Sequence, residues 1–269
     1  MRETAFAKIN LALHVRRRRD DGYHEIETLF AFVDAGDVLT ARPANRDELT
    51  VHGEFAVQLT DPFGNIVAKA LGKLPRNGRL AIALEKNLPV GAGLGGGSAD
   101  AGAAFRIVEA LHGLPDDWRE RAASLGADVP ACVESKMAIG RGTGTELEPV
   151  ENDLTGMAVL LVNPRVPLET GPVFAGWDGV DRGALPGGPA SNIARKGRND
   201  LEKPAIELCP VIAEVLEGLN DTDPWMSAMS GSGATCFALY KSEAQRERAA
   251  AIFAELNPEW WQMSGMLRP

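Results

Sequence analysis

Apolar and polar residues alternate near the start of the chain. In Ala7-Lys8-Ile9-Asn10-Leu11-Ala12-Leu13-His14-Val15, the residues Ile9, Leu11, Leu13 and Val15 fall on one face of a strand. Lys8, Asn10 and His14 share the opposite face, which the pattern predicts to be polar and solvated. His14 stands three two-residue steps from Lys8, roughly 20 Å along an extended chain, too far for one site. Arg16 to Arg19 then meet Asp20-Asp21-Gly22, a turn signal at a hairpin tip, and a second strand is predicted over 24–33. Further strands are predicted over 37–41, 48–52 and 80–84. Between them Ile66, Val67, Ala70, Leu71 and Leu74 recur at helical spacing. Alanine-rich helical pattern covers 98–112, and a second helix over 116–124 ends at Gly126. Later come an apolar strand over 158–162, a short helix around Thr170, a loop from Gly176 to Pro189 and a helical stretch from Asp200 to Gly218. A strand over 236–240 precedes Ser242-Glu243-Ala244-Gln245, which has capping-box form and opens a last helix.

This order of elements, with mixed strand pairing, predicts an α+β fold of two layers. Pro149 and Asp153 separate two apolar runs, so the expected lobes are residues 1–150 and 151–269. The length of 269 residues suits two small domains, and 45% apolar with 24% charged residues is ordinary globular composition. The net charge of −9, from 28 basic and 37 acidic residues, argues against a nucleic-acid partner, which calls for a basic surface. Three cysteines, none in a CxxC pair, read as reduced buried thiols. No apolar run reaches the ~20 residues that span a bilayer, and Met1-Arg2-Glu3-Thr4 does not open a signal peptide. The expectation is a cytoplasmic protein with no membrane partner, a monomer or weak homodimer. The four histidines make no metal-ligand spacing, so no resident metal is expected.

Composition changes the picture at one point. Glycine supplies 29 residues, and five of them fall between Gly91 and Gly97 in Pro89-Val90-Gly91-Ala92-Gly93-Leu94-Gly95-Gly96-Gly97-Ser98-Ala99-Asp100. Such a run is entropically costly and packs nothing, so its use is the close approach of bare backbone to a ligand. With Ser98 opening a helix, amide groups and a helix N-terminus form an anion site suited to phosphate. The chain contains no Gly-Lys-Ser/Thr triplet, which excludes a Walker loop. Gly91, Gly93 and Gly96 match GxGxxG, but Lys86-Asn87-Leu88-Pro89 separate them from the strand, and Asp116 follows a helix, so a dinucleotide fold fits poorly. A second cluster, Met229-Ser230-Gly231-Ser232-Gly233-Ala234-Thr235, reads by itself as a hairpin or bulge, and Gly140-Arg141-Gly142-Thr143-Gly144 as a turn.

Taken in order, these segments resemble a known kinase superfamily. The Pro-x-Gly-x-Gly-Leu-Gly-Gly-Gly-Ser loop is similar to the ATP loop of galactokinase, homoserine kinase, mevalonate kinase and phosphomevalonate kinase. Ala7-Lys8-Ile9-Asn10-Leu11, Asp21-Gly22-Tyr23-His24, Gly126-Ala127-Asp128-Val129-Pro130 and Met229–Ala234 narrow the resemblance to the 4-diphosphocytidyl-2-C-methyl-D-erythritol kinase family. The resemblance implies an N-terminal ATP-binding lobe with a left-handed βαβ unit and a C-terminal ferredoxin-like lobe. It implies transfer of the ATP γ-phosphate to a 2-hydroxyl of a small-molecule substrate, 4-diphosphocytidyl-2-C-methyl-D-erythritol, with Mg2+ arriving on ATP.

The same resemblance assigns residues. Asp128 would be the catalytic base or orienter of the attacking hydroxyl, with Lys8 beside it offsetting charge on the transferring group. From sequence alone Asp128 is a turn residue and Lys8 a solvated one. Gly93, Leu94, Gly95, Gly96, Gly97 and Ser98 would cradle the triphosphate, Pro89 and Gly91 would bind ATP in the same loop, and Ser98 would either touch magnesium or serve as a helix N-cap. Asn65 and Lys86 fall where the family contacts adenosine. Asn10 would bond the substrate, Tyr23, His24, Thr170 and Phe174 would hold cytosine with Phe174 opposing Tyr23, and Gly231 and Ser232 would lie near the substrate's phosphates. Ala99 replaces a second serine of the pattern, and Asp100 fits the pattern without an evident role. Other readings are a kinase of the same superfamily acting on mevalonate, homoserine or a sugar, and a non-enzymatic binding module.

Overall fold

A computed structural model describes residues 1–59, 61 and 64–269. Among the described residues the order is β1 (Arg2–Arg18), β2 (His24–Ala44), β3 (Glu48–His52), α1 (Ile66–Lys73), β4 (Arg79–Glu85), α2 (Gly96–His112), α3 (Trp118–Ala123) and α4 (Val129–Glu134). Then follow β5 (Ala138–Arg141), β6 (Glu146–Pro149), β7 (Ala158–Asn163), α5 (Thr170–Ala175), α6 (Ala190–Lys196), α7 (Glu202–Leu208) and α8 (Val211–Asp221). The chain ends with β8 (Met226–Met229), β9 (Cys236–Tyr240), α9 (Glu243–Leu256) and β10 (Trp261–Met266). Mixed sheets and helices make this an α+β protein.

The chain packs as two compact units, neither of them one continuous stretch. The first comprises Met1–Lys8, Ala35–Val90 and Gly95–Ser135. In it β3 pairs parallel with β4, and β4 pairs antiparallel with the end of β2, from Val38↔Glu85 to Ala44↔Arg79. α2 packs against α1 and α4, with Ala99, Ala103, Phe105 and Val108 buried. Gly102 lets α2 touch α4, since a Cβ there would meet the Cys132 backbone.

The second unit comprises Ile9–Asp34, Gly91–Leu94 and Lys136–Pro269. Its four-stranded antiparallel sheet has the order β10-β7-β9-β8. Leu160, Val162, Ile212, Val215, Leu219, Tyr240 and Phe253 form the core between that sheet and its helices. The β5–β6 hairpin pairs with the start of β2 at Thr28↔Gly140.

Several expectations change. β1 is buried on both faces, so Lys8, Asn10 and His14 are enclosed and not solvated. The strands expected over 24–33 and 37–41 are one strand, and at Gly36 a side chain would collide with the Ala5 carbonyl on β1. The stretch 200–218 is broken at Cys209-Pro210 into α7 and α8, because proline lacks the N–H that would continue the first helix. α9 is capped as the sequence predicts, Ser242 Oγ accepting the Gln245 N–H at 3.3 Å.

Candidate active site

In the first unit the glycine segment turns directly into α2. Gly95 occupies the N-cap with φ 60° and ψ 26°, a left-handed conformation that glycine adopts without strain. The helix therefore starts two residues earlier than expected, and Ser98 lies inside its first turn and is not the cap. No side chain caps this end. A helix leaves its first N–H groups without intrahelical partners, so the amides of Gly96 to Ser98 face outward from the positive end of the dipole.

Beside this end stand Lys8 and Asp128. Lys8 Nζ lies 3.3 Å from Asp128 Oδ2, with side-chain exposures of 5% and 31%. Asp128 immediately precedes α4, a helix of six residues with Pro130 in its first turn, where the sequence suggested only a loop. Its side chain does not cap that helix and is turned instead toward Lys8. A Cβ on Gly95 would fall 3.0 Å from Lys8 Cε and 3.7 Å from Asp128 Oδ2, and one on Gly126 would lie 3.9 Å from Ser98 Oγ. The loop end, the ammonium, the carboxylate and the serine hydroxyl thus converge within one unit.

Asn65 and Lys86 belong to the same unit. Asn65 caps α1, its Oδ1 accepting the Val67 N–H at 2.9 Å. Lys86 is enclosed, and its ammonium pairs with Asp37 and Asp100. Pro89 lies between that lysine and the first glycine of the block.

In the second unit the other part of the glycine segment meets the second glycine cluster. That cluster is the connection of the β8–β9 hairpin. Ser230 Oγ–H donates to the Gly93 carbonyl at 2.8 Å and accepts the Asn10 N–H at 3.3 Å, while Thr235 N–H donates to Ala92 O. Gly93 has no room for a side chain against Ser230 and Gly233, and a Cβ on Gly231 would lie 3.2 Å from Asn10 Oδ1. Asn10 Nδ2 donates to Thr28 Oγ1 at 2.7 Å, which fixes the amide's orientation. Gly91, Gly93 and Gly95 all have positive φ, so the segment's path is one that larger residues resist. Leu94 is buried and anchors it, whereas Gly97 is exposed.

An aromatic group lies in the same unit. The rings of His24 and Phe174 have centroids 5.0 Å apart, and Trp177 meets His24 edge-on at 5.9 Å. Burial, aided by the nearby Arg18 cation, lowers the His24 pKa and favours the neutral ring. Tyr23 sits at the hairpin turn, 65% exposed, so it is His24 that Phe174 faces. Thr170 Oγ1 and Ser232 Oγ are 3.0 Å apart, bringing those two expected residues together. Sequence reasoning missed Trp177, whose position three residues after Phe174 on a short helical turn was the available signal. It also missed Asp37, which no local pattern marks, and the tie Ser230 makes to the first glycine segment, although the second glycine cluster contains that residue.

A glycine-lined anion cradle at a helix start, with a lysine–aspartate pair against it, is the arrangement of a small-molecule kinase. Residues 65–136 match the family model for the GHMP kinases N terminal domain, and residues 185–259 the model for the GHMP kinases C terminal. A 4-diphosphocytidyl-2-C-methyl-D-erythritol kinase from Erythrobacter litoralis is 68% identical over 99% of this chain and 99% of its own. One from Novosphingobium aromaticivorans is 68% identical over 100% of this chain and 93% of its own. A crystal structure of 4-(cytidine 5'-diphospho)-2C-methyl-D-erythritol kinase superposes with TM-score 0.81 at 32% identity, each chain covered completely at 100%. Homoserine kinase from Cytophaga hutchinsonii shares the fold at TM-score 0.67 and 18% identity, with 97% of this chain and 94% of its own covered. The chain belongs to the GHMP kinases and, among them, to the 4-diphosphocytidyl-2-C-methyl-D-erythritol kinase family. Among the described residues, no helix is long and apolar enough to cross a membrane.

Proposed function

We propose that the protein transfers the γ-phosphoryl group of ATP to the 2-hydroxyl of 4-diphosphocytidyl-2-C-methyl-D-erythritol, in non-mevalonate isoprenoid precursor biosynthesis. The observation that carries the proposal is the Lys8–Asp128 pair, 3.3 Å apart and set against Gly95 at the start of α2. Phosphoryl transfer demands positioning and charge stabilisation more than covalent chemistry. The backbone of Gly93 to Ser98 holds the triphosphate, Asp128 accepts or orients the hydroxyl proton, and Lys8 offsets charge on the moving group. Asn65 serves the adenosine part of ATP, and Lys86, buried and paired with Asp37 and Asp100, acts there through its neighbours. Neutral His24, its Nε2 accepting the Arg18 Nε–H at 3.4 Å, keeps its Nδ1–H to donate to the cytosine edge, and Phe174 and Tyr23 give the base aromatic surface. Thr170 completes the cytosine pocket, and Asn10, Gly231 and Ser232 serve the rest of the substrate.

Mg2+ would neutralise part of the triphosphate charge when bound. Among the described residues no group of three His, Cys, Asp or Glu side chains is placed to hold a metal. The ion would therefore ride mainly on phosphate oxygens, and Ser98, whose hydroxyl has no capping duty, is the protein group fitted to reach it. The lobes of the reading are residues 1–150 and 151–269, a division supported by family matches on either side of residue 150. The protein acts in the cytoplasm as a monomer or weak homodimer, without membrane or nucleic-acid partners.

The test is ATP-dependent phosphorylation of the cytidyl compound alongside mevalonate, homoserine and galactose. Turnover of one of the others and none of the cytidyl compound overturns the proposal. Asp128→Asn and Lys8→Ala are each expected to lower kcat by about 10²-fold or more. Folded variants with near-normal rates would remove that residue from the chemistry.

A further inference from the structure

Two carboxyl groups and one ammonium are buried together beneath the start of α2. Lys86 Nζ pairs with Asp37 Oδ2 and, at 2.9 Å, with Asp100 Oδ2, and none of the three side chains is more than 3% exposed. Asp37 turns its other oxygen to backbone: Oδ1 accepts the N–H of Asn87 at 2.5 Å and that of Leu88 at 2.8 Å. Lys86, Asn87 and Leu88 precede the glycine segment, and Asp100 follows it on α2. Gly96 gives the ammonium its space, since a Cβ there would stand 3.1 Å from Lys86 Nζ.

We propose that Lys86, Asp37 and Asp100 form a clamp joining the two ends of the glycine segment, with Asp37 and Asp100 as positioning residues for ATP binding. The ATP part of this rests on the kinase reading above. Glycine-rich backbone has the most conformational freedom to lose, and fixing its two ends removes part of that loss before the nucleotide arrives. Buried charges are costly, and directional pairing is what they return. Asp100 is not a nucleotide contact, because its side chain is buried and its Oδ2 accepts from Lys86. Burial, opposed by Lys86 and reinforced by Asp37, raises the Asp100 pKa well above its usual value of 3.8. Burial works against the Lys86 ammonium, but Asp100 and Asp37 outweigh it and hold that group charged. An amide at position 100 keeps an oxygen to accept from the Lys86 ammonium, so Asp100→Asn preserves that link of the clamp.

The test compares Asp100→Ala with Asp100→Asn by two measurements. One is amide hydrogen exchange over residues 87–98 in the ligand-free protein, with the rest of the chain as internal standard. The other is the split between KM and kcat. Asp100→Ala is expected to speed exchange in that segment and to raise KM for ATP, each about 10-fold, while kcat at saturating ATP and KM for the cytidyl substrate stay within about threefold. Asp100→Asn is expected to restore both. The clamp is overturned if exchange rises uniformly through the fold, if kcat falls with KM for ATP unchanged, or if the asparagine fails to rescue. Should the alanine variant not fold, Asp100→Ser takes its place with the same outcomes. Loss of the kinase reading through an inactive wild type leaves the exchange measurement to decide the clamp.

Discussion

Replacing Gly95 by alanine perturbs the loop and the lysine–aspartate pair at once. The residue has φ 60° and ψ 26°, and an alanine there costs about 1–2 kcal/mol for the left-handed backbone alone. The new Cβ would also stand 3.0 Å from Lys8 Cε. That is tighter than carbon atoms normally rest, so the lysine stem must give by a few tenths of an ångström. Lys8 is 5% exposed and its ammonium is 3.3 Å from Asp128, so the retreat is taken up largely by that pair. A displacement of ~1 Å in a reacting group costs about 10²-fold in rate, so the smaller retreat here costs on the order of 10-fold. The strain itself lowers Tm by about 2–8 °C in a chain of this size. Gly91→Ala supplies the control, because Gly91 also has positive φ, at 67°, but nothing lies within 4 Å of its Cβ position. Thermal unfolding and steady-state phosphorylation are measured on both variants. The two are expected to lose similar stability, while Gly91→Ala keeps ~10 times the kcat of Gly95→Ala. Equal kcat values in the two would refute the close approach of Gly95 to Lys8 as a catalytic constraint.

Two further outcomes follow from the second unit. Phe174→Ala removes the ring that faces His24 and should raise KM for the cytidyl substrate by about 10-fold or more, the scale of a lost base–aromatic stack, with KM for ATP unmoved; equal changes in both constants would contradict the base pocket. His14 is buried, with Nδ1 2.9 Å from the Gly183 carbonyl and Nε2 accepting the Arg198 N–H at 3.2 Å, an arrangement that suits the neutral ring. Burial, with Arg198 adding to it and Gly183, Asp200 and Glu27 opposing, lowers its pKa below the usual value of 6.5. The unfolded imidazole therefore takes up its proton first as pH falls. Its contribution to stability is whole above pH 6.5 and lost as pH drops from there through the lowered folded value. Urea midpoints of His14→Gln should show a shallower decline than wild type between pH 8 and 5, and parallel curves would show that His14 does not carry it.

Long periodic elements and the glycine block were legible because their signals are local. The α2 and β7 patterns and the Ser242 cap each depend on a few neighbouring residues, and the structure reproduces them. The enclosure of β1 was not legible, since alternation marks one apolar face but says nothing of what covers the other. α4 and β8, with six and four residues, are too short for a period to be read. Ion pairs between distant segments leave no local trace at all. Lys86 and Asp37 are 49 positions apart, so position 86 reads as a surface lysine until the fold closes over it.

That enclosure alters how an acidic chain of net charge −9 can attract anionic substrates. Lys86 adds little to the field at the loop, because Asp37 already balances its charge in the interior. Many of the surface arginines are spoken for as well: Arg16 pairs with Glu27 and Asp181, Arg17 with Glu25 and Arg19 with Asp21. What remains positive at the glycine segment is backbone, the uncapped first turn of α2, together with Lys8. Backbone amides fixed by the fold need no side-chain ordering when a phosphate arrives, and they carry no net charge to be neutralised while the site is empty. A carboxylate can therefore stand 3.3 Å from Lys8 without cancelling the cradle, since the cradle's attraction comes from dipoles that Asp128 does not pair.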